Sequence, residues 1–552
     1  MRSTRFDALF LAAATALSCA WYVPRLGFYS DDWAFLGRYA TAADQTVAGL
    51  FAASYSSHHA MRPVQLWLCA ALYRTFGLEP LGYHLFNTAI LLSLPILVYV
   101  ILRELQLPRS IALSAALVYG LLPSYSTDRF WFVAFAITLS MAACLAGMLA
   151  DIKAVAGRPV WWKALSVAAF AVSALAYEVA LPLILLSAVL LIWRARQMRS
   201  AGRPVSTRWV AALVAIDLAI LAGAAAFKLH TTVRLGADHG IAAQMRQIAR
   251  QALDPHLPYG HYGLNVFSAA RVHFVDAGIG LPAIAAALAP ALPFGAWFLN
   301  AALWVLAFAY LAAAFRSERW PSADEWAALM PAGLIVFGLG YAIFLTNYNV
   351  QFTPTGIANR SAIAAALGAA LCMAGAAGVA IRSLLPRRPG VFVLAGMIAS
   401  FAACGSLVVN AIAASWANAY EMERRTLNDI RARLPTLPQG STLILDGVCP
   451  YVGPAIVFES NWDLAGALQV LYRDPTIAAD VVTPRLTISN EGLTTTIYGE
   501  ARQYPYGDRL LVFEAGTGQV IPLPDAASGR QWFARRHTGC PPGQEGIGVR
   551  LF

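Results

Sequence analysis

Apolar stretches of membrane-spanning length recur from Phe6 to Ile412 and then stop. A helix needs roughly 20 apolar residues to cross a bilayer. Eleven segments approach that measure: 6–22, 83–102, 110–124, 130–150, two short ones within 164–193, then 209–228, 294–315, 326–346, 361–381 and 391–412. Residues 164–193 divide in two because Lys163 on one flank and Arg194, Arg196, Arg199, Arg203 and Arg208 on the other all belong on the cytoplasmic side. The turn then falls at Tyr177-Glu178, and each half is short enough to be partly re-entrant. Residues 44–54 are amphipathic and predict a helix lying on the interface, with 62–78 as a second one or the approach to the next span. A polar helix is expected over Ile241 to Leu253, and a membrane-dipping piece over 278–292.

Beyond Trp416 the pattern changes. A charged helix, Trp416 to Leu434, leads into strand-like runs at Thr442–Leu445, Ala455–Phe458, Thr494–Tyr498 and Leu510–Phe513. The predicted fold is an α-helical polytopic membrane domain, residues 1–415, followed by a soluble α+β domain, residues 416–552.

Composition sharpens this picture. Of 552 residues, 59% are hydrophobic and 13% charged, where a soluble protein carries about a quarter charged. The missing charge is surface that faces lipid. The net charge of +10 lies largely in short loops between apolar segments, where it sets topology, so no nucleic-acid partner is implied. Arg2 and Arg5 hold the N-terminus in the cytoplasm, which puts residues 25–80 outside; continued counting leaves the C-terminal domain outside as well. No small-residue cleavage site precedes Pro24, so the first apolar stretch reads as a retained helix rather than a signal peptide. Cys19, Cys69, Cys144, Cys372 and Cys404 lie in apolar stretches as small core residues. Cys449 and Cys540 stand alone in the tail and, if it is extracytoplasmic, could form a disulfide.

The polar residues that need a reason gather at one membrane face. Asp31 and Asp32, in YSDDWAFL, either cap the helix running on from Trp33 or act as an acid pair in which one carboxyl serves as a general base. His58, His59 and Arg62 (SSHHAMRPV) make either a polar interfacial turn or an anion cradle. Asp128 could simply pair with Arg129 across an outer turn. Glu178 sits between two apolar runs, a place for a carboxylate with a task. Lys228, His230 and Arg234 end a helix and are expected to snorkel. Arg360 opens an apolar helix, suited to a lipid headgroup or to a phosphate oxygen. No metal-type Cys/His spacing appears, and Asp31-Asp32 alone is a poor ligand set, so a divalent metal stays open.

Taken together, a first helix followed by YSDDWAFLGRY and then HHAMRPVQLWLCAALYRTFGLEPLGYHLFNTAILL resembles the GT-C superfamily of integral membrane glycosyltransferases. The shared marks are the acidic pair, Arg62-Pro63, Phe76-Gly77, His84 with Asn87, and the acidic Glu178 in AYEVALPLILL. The likeness is best over about residues 20–180 and absent in the tail. It implies transfer of a sugar from a polyprenyl-phosphate (or polyprenyl-diphosphate) donor to an extracytoplasmic glycan, lipid or protein acceptor. The setting it implies is the bacterial inner membrane, facing the periplasm and cell envelope. It would make Asp31 the base or acceptor-positioning group, with Asp32 the alternative, Asp128 a second acidic position and Arg360 a holder of the lipid phosphate. Two other classes compete: a transporter or flippase of lipid-linked sugars, with polar breaks in paired mid-membrane helices, and a non-catalytic membrane anchor for an envelope domain.

Overall fold

In the computed structural model, the residues described are 2–55, 59–156, 159–234, 259–346, 352–483, 485–497, 500–535 and 540. The helices that frame the molecule are α1 (Arg2–Cys19), α2 (Asp31–Thr41), α3 (Val47–Ser54), α4 (Pro63–Phe76), α5 (Pro80–Glu104), α6 (Arg109–Leu121), α7 (Thr127–Phe130), α8 (Phe135–Ala156), α9 (Pro159–Ala176), α10 (Ile184–Ser200) and α11 (Thr207–Arg234). There follow α12 (Tyr259–Ala270), α13 (Leu281–Leu288), α14 (Phe294–Arg316), α15 (Ala323–Ala327), α16 (Leu329–Ala342), α17 (Ile363–Leu384) and α18 (Arg387–Arg433).

Among the described residues, nine helices are long and apolar enough to cross a membrane, or ten if one bent pair counts as a span. The chain is therefore a polytopic α-helical membrane protein. Two of the eleven expected spans, 110–124 and the first half of 164–193, form helices too short to count by length, α6 and the apolar part of α9 (Val160–Ala176). At 1.5 Å per residue, the 13 residues of α6 reach about 20 Å. The expected dipping piece, 278–292, overlaps the second member of a bent pair: Asn265–Ile279 and Leu281–Ala291 meet at 66°, and Arg271–Ile279 within the pair is π-helical. The polar helix expected over 241–253 lies outside the described residues.

Packing follows residue size. On facing surfaces of α16 and α17, a side chain added at Gly340 or Gly368 would lie within 2.4 Å of the partner's backbone, so glycine lets the two helices touch. Elsewhere charge is buried and matched: Lys163 Nζ lies 2.9 Å from Asp151 Oδ1 and also binds Asp217, while Ser187 donates to Asp151 Oδ2 at 2.7 Å.

One end of the bundle is marked by Asp7, which accepts from Arg109 Nε at 2.8 Å and from Tyr310 at 2.8 Å, with Arg103 beside Glu318. The 25-residue α5 places Arg103 and Tyr99 at that end, and His84 and Asn87 at the opposite one.

The boundary expected at 415/416 falls inside α18, whose 47 residues run unbroken out of the bundle. Beyond it, a sheet of order β4-β1-β8-β9 forms from β1 (Thr442–Asp446), β4 (Ala478–Val481), β8 (Leu510–Glu514) and β9 (Gln519–Pro522). Strand β1 is parallel to both neighbours, and β9 closes the edge antiparallel. A short pair, β2 (Tyr451–Val452) with β3 (Ala455–Ile456), and a meander of β5 (Thr487–Ile488), β6 (Gly492–Ile497) and β7 (Glu500–Pro505) complete the strands. Two helices, α19 (Asn461–Tyr472) and α20 (Ala526–Arg535), cover them.

The period-2 alternation of β1 divides its side chains. Leu443 and Leu445 join the core that continues through Trp416 into the helical bundle, and Ile444 joins a separate core with Leu493, Val512 and Trp532. Cys449 and Cys540 are disulfide-bonded, with Cα atoms 5.5 Å apart.

Candidate functional site

Five loops converge at the end of the bundle away from Asp7: residues 26–32, 59–62, 123–133, 177–183 and 353–362. Each is held by a specific hydrogen bond. His84 Nε2, from the first turns of α5, binds Gly27 O at 2.8 Å, and one turn later Asn87 Nδ2 donates to Asp128 O at 2.7 Å. Both are buried. The His84/Asn87 spacing thus fastens two acidic loops to a single helix face, as residues three apart can. Asn359 accepts from Thr127 N at 3.0 Å and donates to Ser126 Oγ at 2.9 Å, while Thr127 Oγ1 donates to Gly356 O at 2.7 Å. These bonds bring Arg360 to the Asp128 turn.

The adjacent carboxylates at the start of α2 have different surroundings. Asp32 is 1% exposed; its Oδ2 accepts from Tyr29 N at 3.0 Å and its Oδ1 from Val133 N at 2.9 Å. It is a tie between two loops. Burial pushes its carboxyl well above the usual range, against the pull of those N–H groups. Asp31 is partly exposed, and no described residue hydrogen-bonds its carboxylate. Burial raises its carboxyl too, opposed by the positive charges of Arg360, Arg62 and Arg38. Neither the Ser30 side chain nor Asp32 caps α2, so the capping role is not the one these residues play.

Asp128 is fully buried, and neither of its carboxylate oxygens has a hydrogen-bond partner among the described residues. It does not pair with Arg129, whose Nη2 instead donates to Gly120 O at 2.7 Å and whose guanidinium lies 5.0 Å from the Tyr125 ring. Burial lifts the Asp128 carboxyl well above normal, with Arg360 and Arg129 opposing. The Arg360 guanidinium stacks 4.8 Å from the Trp131 ring, and its buried Nη1 has no hydrogen-bond partner among the described residues. Burying an acid and a guanidinium nitrogen without hydrogen-bond partners costs stability.

Glu178 is, by contrast, fully engaged. Arg62 Nε reaches its two oxygens at 3.2 and 3.1 Å, Arg62 Nη2 lies at 3.0 Å, and Lys228 Nζ at 2.9 Å. Burial opposes its ionisation, but these two cations outweigh it and hold the carboxyl at about 2. Lys228 does not snorkel: it is 2% exposed and also donates to Met61 O at 2.9 Å. Arg62 packs 4.0 Å over the Tyr177 ring.

No protein-family model matches this chain, and no curated protein matches it in sequence. Among solved structures, ArnT from Cupriavidus metallidurans bound to undecaprenyl phosphate is a similar chain. It shares 14% identity over 86% of this chain and 85% of that one, with a TM-score of 0.36. At that score the likeness assigns neither fold nor function.

The loops therefore bring together Asp31, Asp128 and Arg360, with Arg62 and Glu178 joined beside them. His59 is part-buried, its ring edge-on to Phe35 at 4.9 Å. His58 lies outside the described residues. Among the described residues, no three His, Cys, Asp or Glu side chains gather as a metal-ligand set. Residues that sequence reasoning passed over come from the tail: Glu423 accepts from Trp33 Nε1 at 3.1 Å, and Glu459 from Ser30 Oγ at 3.0 Å. The only local signal near Glu459 was the capping box of Ser460 and Asp463 at α19.

A large apolar cavity of about 580 Å³ lies among α6, α16, α17, α18 and the π-helical turn, lined by Phe274, Gly278, Met330, Cys372, Met397 and Phe401. A small cleft along the same turn touches Ser124, Asp276 and Pro354.

Proposed function

We propose that this protein is a membrane glycosyltransferase that moves a sugar from a polyprenyl-phosphate-linked donor to an extracytoplasmic acceptor in the cell envelope. In this reading it is a multi-pass protein of a bacterial inner membrane, N-terminus in the cytoplasm, with the site and residues 416–552 outside. The observation that carries it is the pairing of roles around Asp31: a carboxylate open to a ligand, with arginines acting on it from three elements and the orphan Asp128 close to one of them.

The chemistry fits an inverting transfer. Asp31 takes the proton of an acceptor hydroxyl as its oxygen bonds the sugar's anomeric carbon. The bond from that carbon to the phosphate oxygen breaks, and the polyprenyl phosphate leaves with the electron pair. Arg360 meets the negative charge that develops there, with Arg62 and His59 as the further members of an anion cradle. Asp128 and Glu178 shape the substrate side, Glu178 by holding Arg62 in place. The apolar cavity supplies lipid-like surroundings for a prenyl chain. What favours Asp31 over Asp32 as the base is that both Asp32 oxygens already serve backbone N–H groups. The motif resemblance of residues 20–180 points the same way.

The test is complementation of a deletion strain with Asp31→Asn, Asp32→Asn and Glu178→Gln, reading envelope glycans by mass spectrometry. Wild-type glycan from all three would sink the enzyme. Glycan loss with lipid-linked sugar accumulating in the outer leaflet excludes the flippase.

A further inference from the structure

Backbone geometry immediately before Asp31 is unusual. Ser30 has φ 45° and ψ −116°, and Asp32 N donates back to Tyr29 O at 2.9 Å. Tyr29 to Asp32 is thus a type II′ turn with Ser30 at its first central position, where glycine is the easy residue. A serine kept there is strained unless the surroundings over-determine it. The surroundings do so, and they come from the C-terminal region.

Ser30 is 2% exposed, and its hydroxyl donates to Glu459 Oε1 at 3.0 Å. Glu459, also 2% exposed, is gripped in turn: Tyr451 Oη donates to its Oε2, and its own N–H donates to Asp463 Oδ2 at 2.8 Å. Three further contacts clamp the same short segment. Tyr29 Oη donates to Trp416 O at 2.9 Å, and Trp33 Nε1 to Glu423 Oε2 at 3.1 Å. Gly466 of α19 lies so close to α2 that an added Cβ would sit 2.2 Å from Trp33 O.

We infer that Glu459 is a positioning residue for Asp31: by binding the Ser30 hydroxyl it holds the strained turn that aims the Asp31 carboxylate among the arginines, so the C-terminal region completes the site rather than hanging from it. The inference rests on the role given to Asp31 above. Glycine at 30 would adopt this turn unaided but would lose the tether. Serine makes the turn conditional on a docked C-terminal region.

The turn conformation and the tether can be separated by variants of the full-length protein in the complemented strain, with envelope glycan as the readout. Glu459→Ala is expected to lower product at least ten-fold, and Ser30→Ala equally, because each leaves the strain without the tether. Glu459→Gln keeps an acceptor for Ser30 and should stay within about three-fold of wild type. The deciding variant is Glu459→Ala with Ser30→Gly, in which the turn no longer needs the tether; recovery to a third of wild-type product or more is expected.

A residue that merely glued the C-terminal region in place would not be rescued from position 30. Failure of that rescue, with the protein present at wild-type level, overturns the proposal, as does wild-type product from Ser30→Ala. Should Glu459→Ala not accumulate, Ser30→Ala decides alone, since it leaves the tail's other contacts intact. Wild-type product from Asp31→Asn would instead sink the role assigned to Asp31. Loss there with full product from Ser30→Ala sinks only the positioning role.

Discussion

Arg62 grips Glu178 with two of its nitrogens, Nε and Nη2, all contacts lying between 3.0 and 3.2 Å. Lys228 closes the other side of the carboxylate at 2.9 Å. A carboxylate that seemed placed for substrate is the anchor of an arginine that faces Asp31.

That arrangement makes stability pH-dependent in a stated direction. Glu178 is depressed to about 2 in the folded protein from an ordinary 4.5. Its contribution is therefore fully present above about 4.5 and lost as pH falls toward about 2. The shift corresponds to about 2–3 kcal/mol, after some allowance for the 19% exposure of the side chain. Thermal unfolding of the detergent-solubilised protein should show a drop between those pH values that is absent in Glu178→Gln.

Asp31→Asn and Asp32→Asn should separate activity from stability. Asp31 has no hydrogen bond among the described residues to lose, so its amide should leave the melting temperature unchanged while abolishing transfer. At Asp32 an amide can accept only one of the two backbone N–H groups and turns its NH2 toward the other. A cost of about 1–3 kcal/mol follows. Equal thermal losses in the two variants would contradict this division.

Asp128 should behave as a residue kept at the expense of stability. Its buried oxygens have no hydrogen-bond partner among the described residues, and trading the charged carboxylate for a neutral amide of the same shape lowers the desolvation cost. Asp128→Asn is expected to melt at or above the wild-type temperature, with product reduced at least ten-fold. A loss of several degrees would show that the carboxylate has a structural partner.

Reduction of Cys449–Cys540 should loosen the tail. The bond closes a loop with a sequence separation of 91 residues, worth up to about 4–5 kcal/mol by chain entropy. Cys449→Ser with Cys540→Ser should lower the melting temperature. Labelling of the tail's thiols in intact cells before and after reductant checks that the bond forms, and with it the oxidising side of the membrane.

The helical bundle was legible because lipid forces a simple code: apolar runs of fixed length, with cations at one set of ends. The tail's strands were legible in part: β1, β6 and β8 fall within a residue or two of the expected runs at 442, 494 and 510, and β3 begins the run at 455, while β2, β4, β5, β7 and β9 match no expected run. The single 47-residue helix was hidden, since a change from apolar to charged composition looks like a boundary although backbone bonding continues through it. Two expected spans, 110–124 and the first half of 164–193, form shorter apolar helices for a related reason: composition marks an apolar helix but not how many residues it will keep.

By itself the sequence determined the fold class and the acidic and cationic residues worth asking about, because hydropathy and motif spacing act locally along the chain. Only the tertiary structure decided what those residues do. It made Asp32 a tie and left Asp31 open, joined Arg62 to Glu178 116 positions away, and set Glu459 against Ser30 across 429 positions. Partners at such separations leave no periodic trace, since a hydrogen bond depends on where two groups lie in space and not on the chain between them.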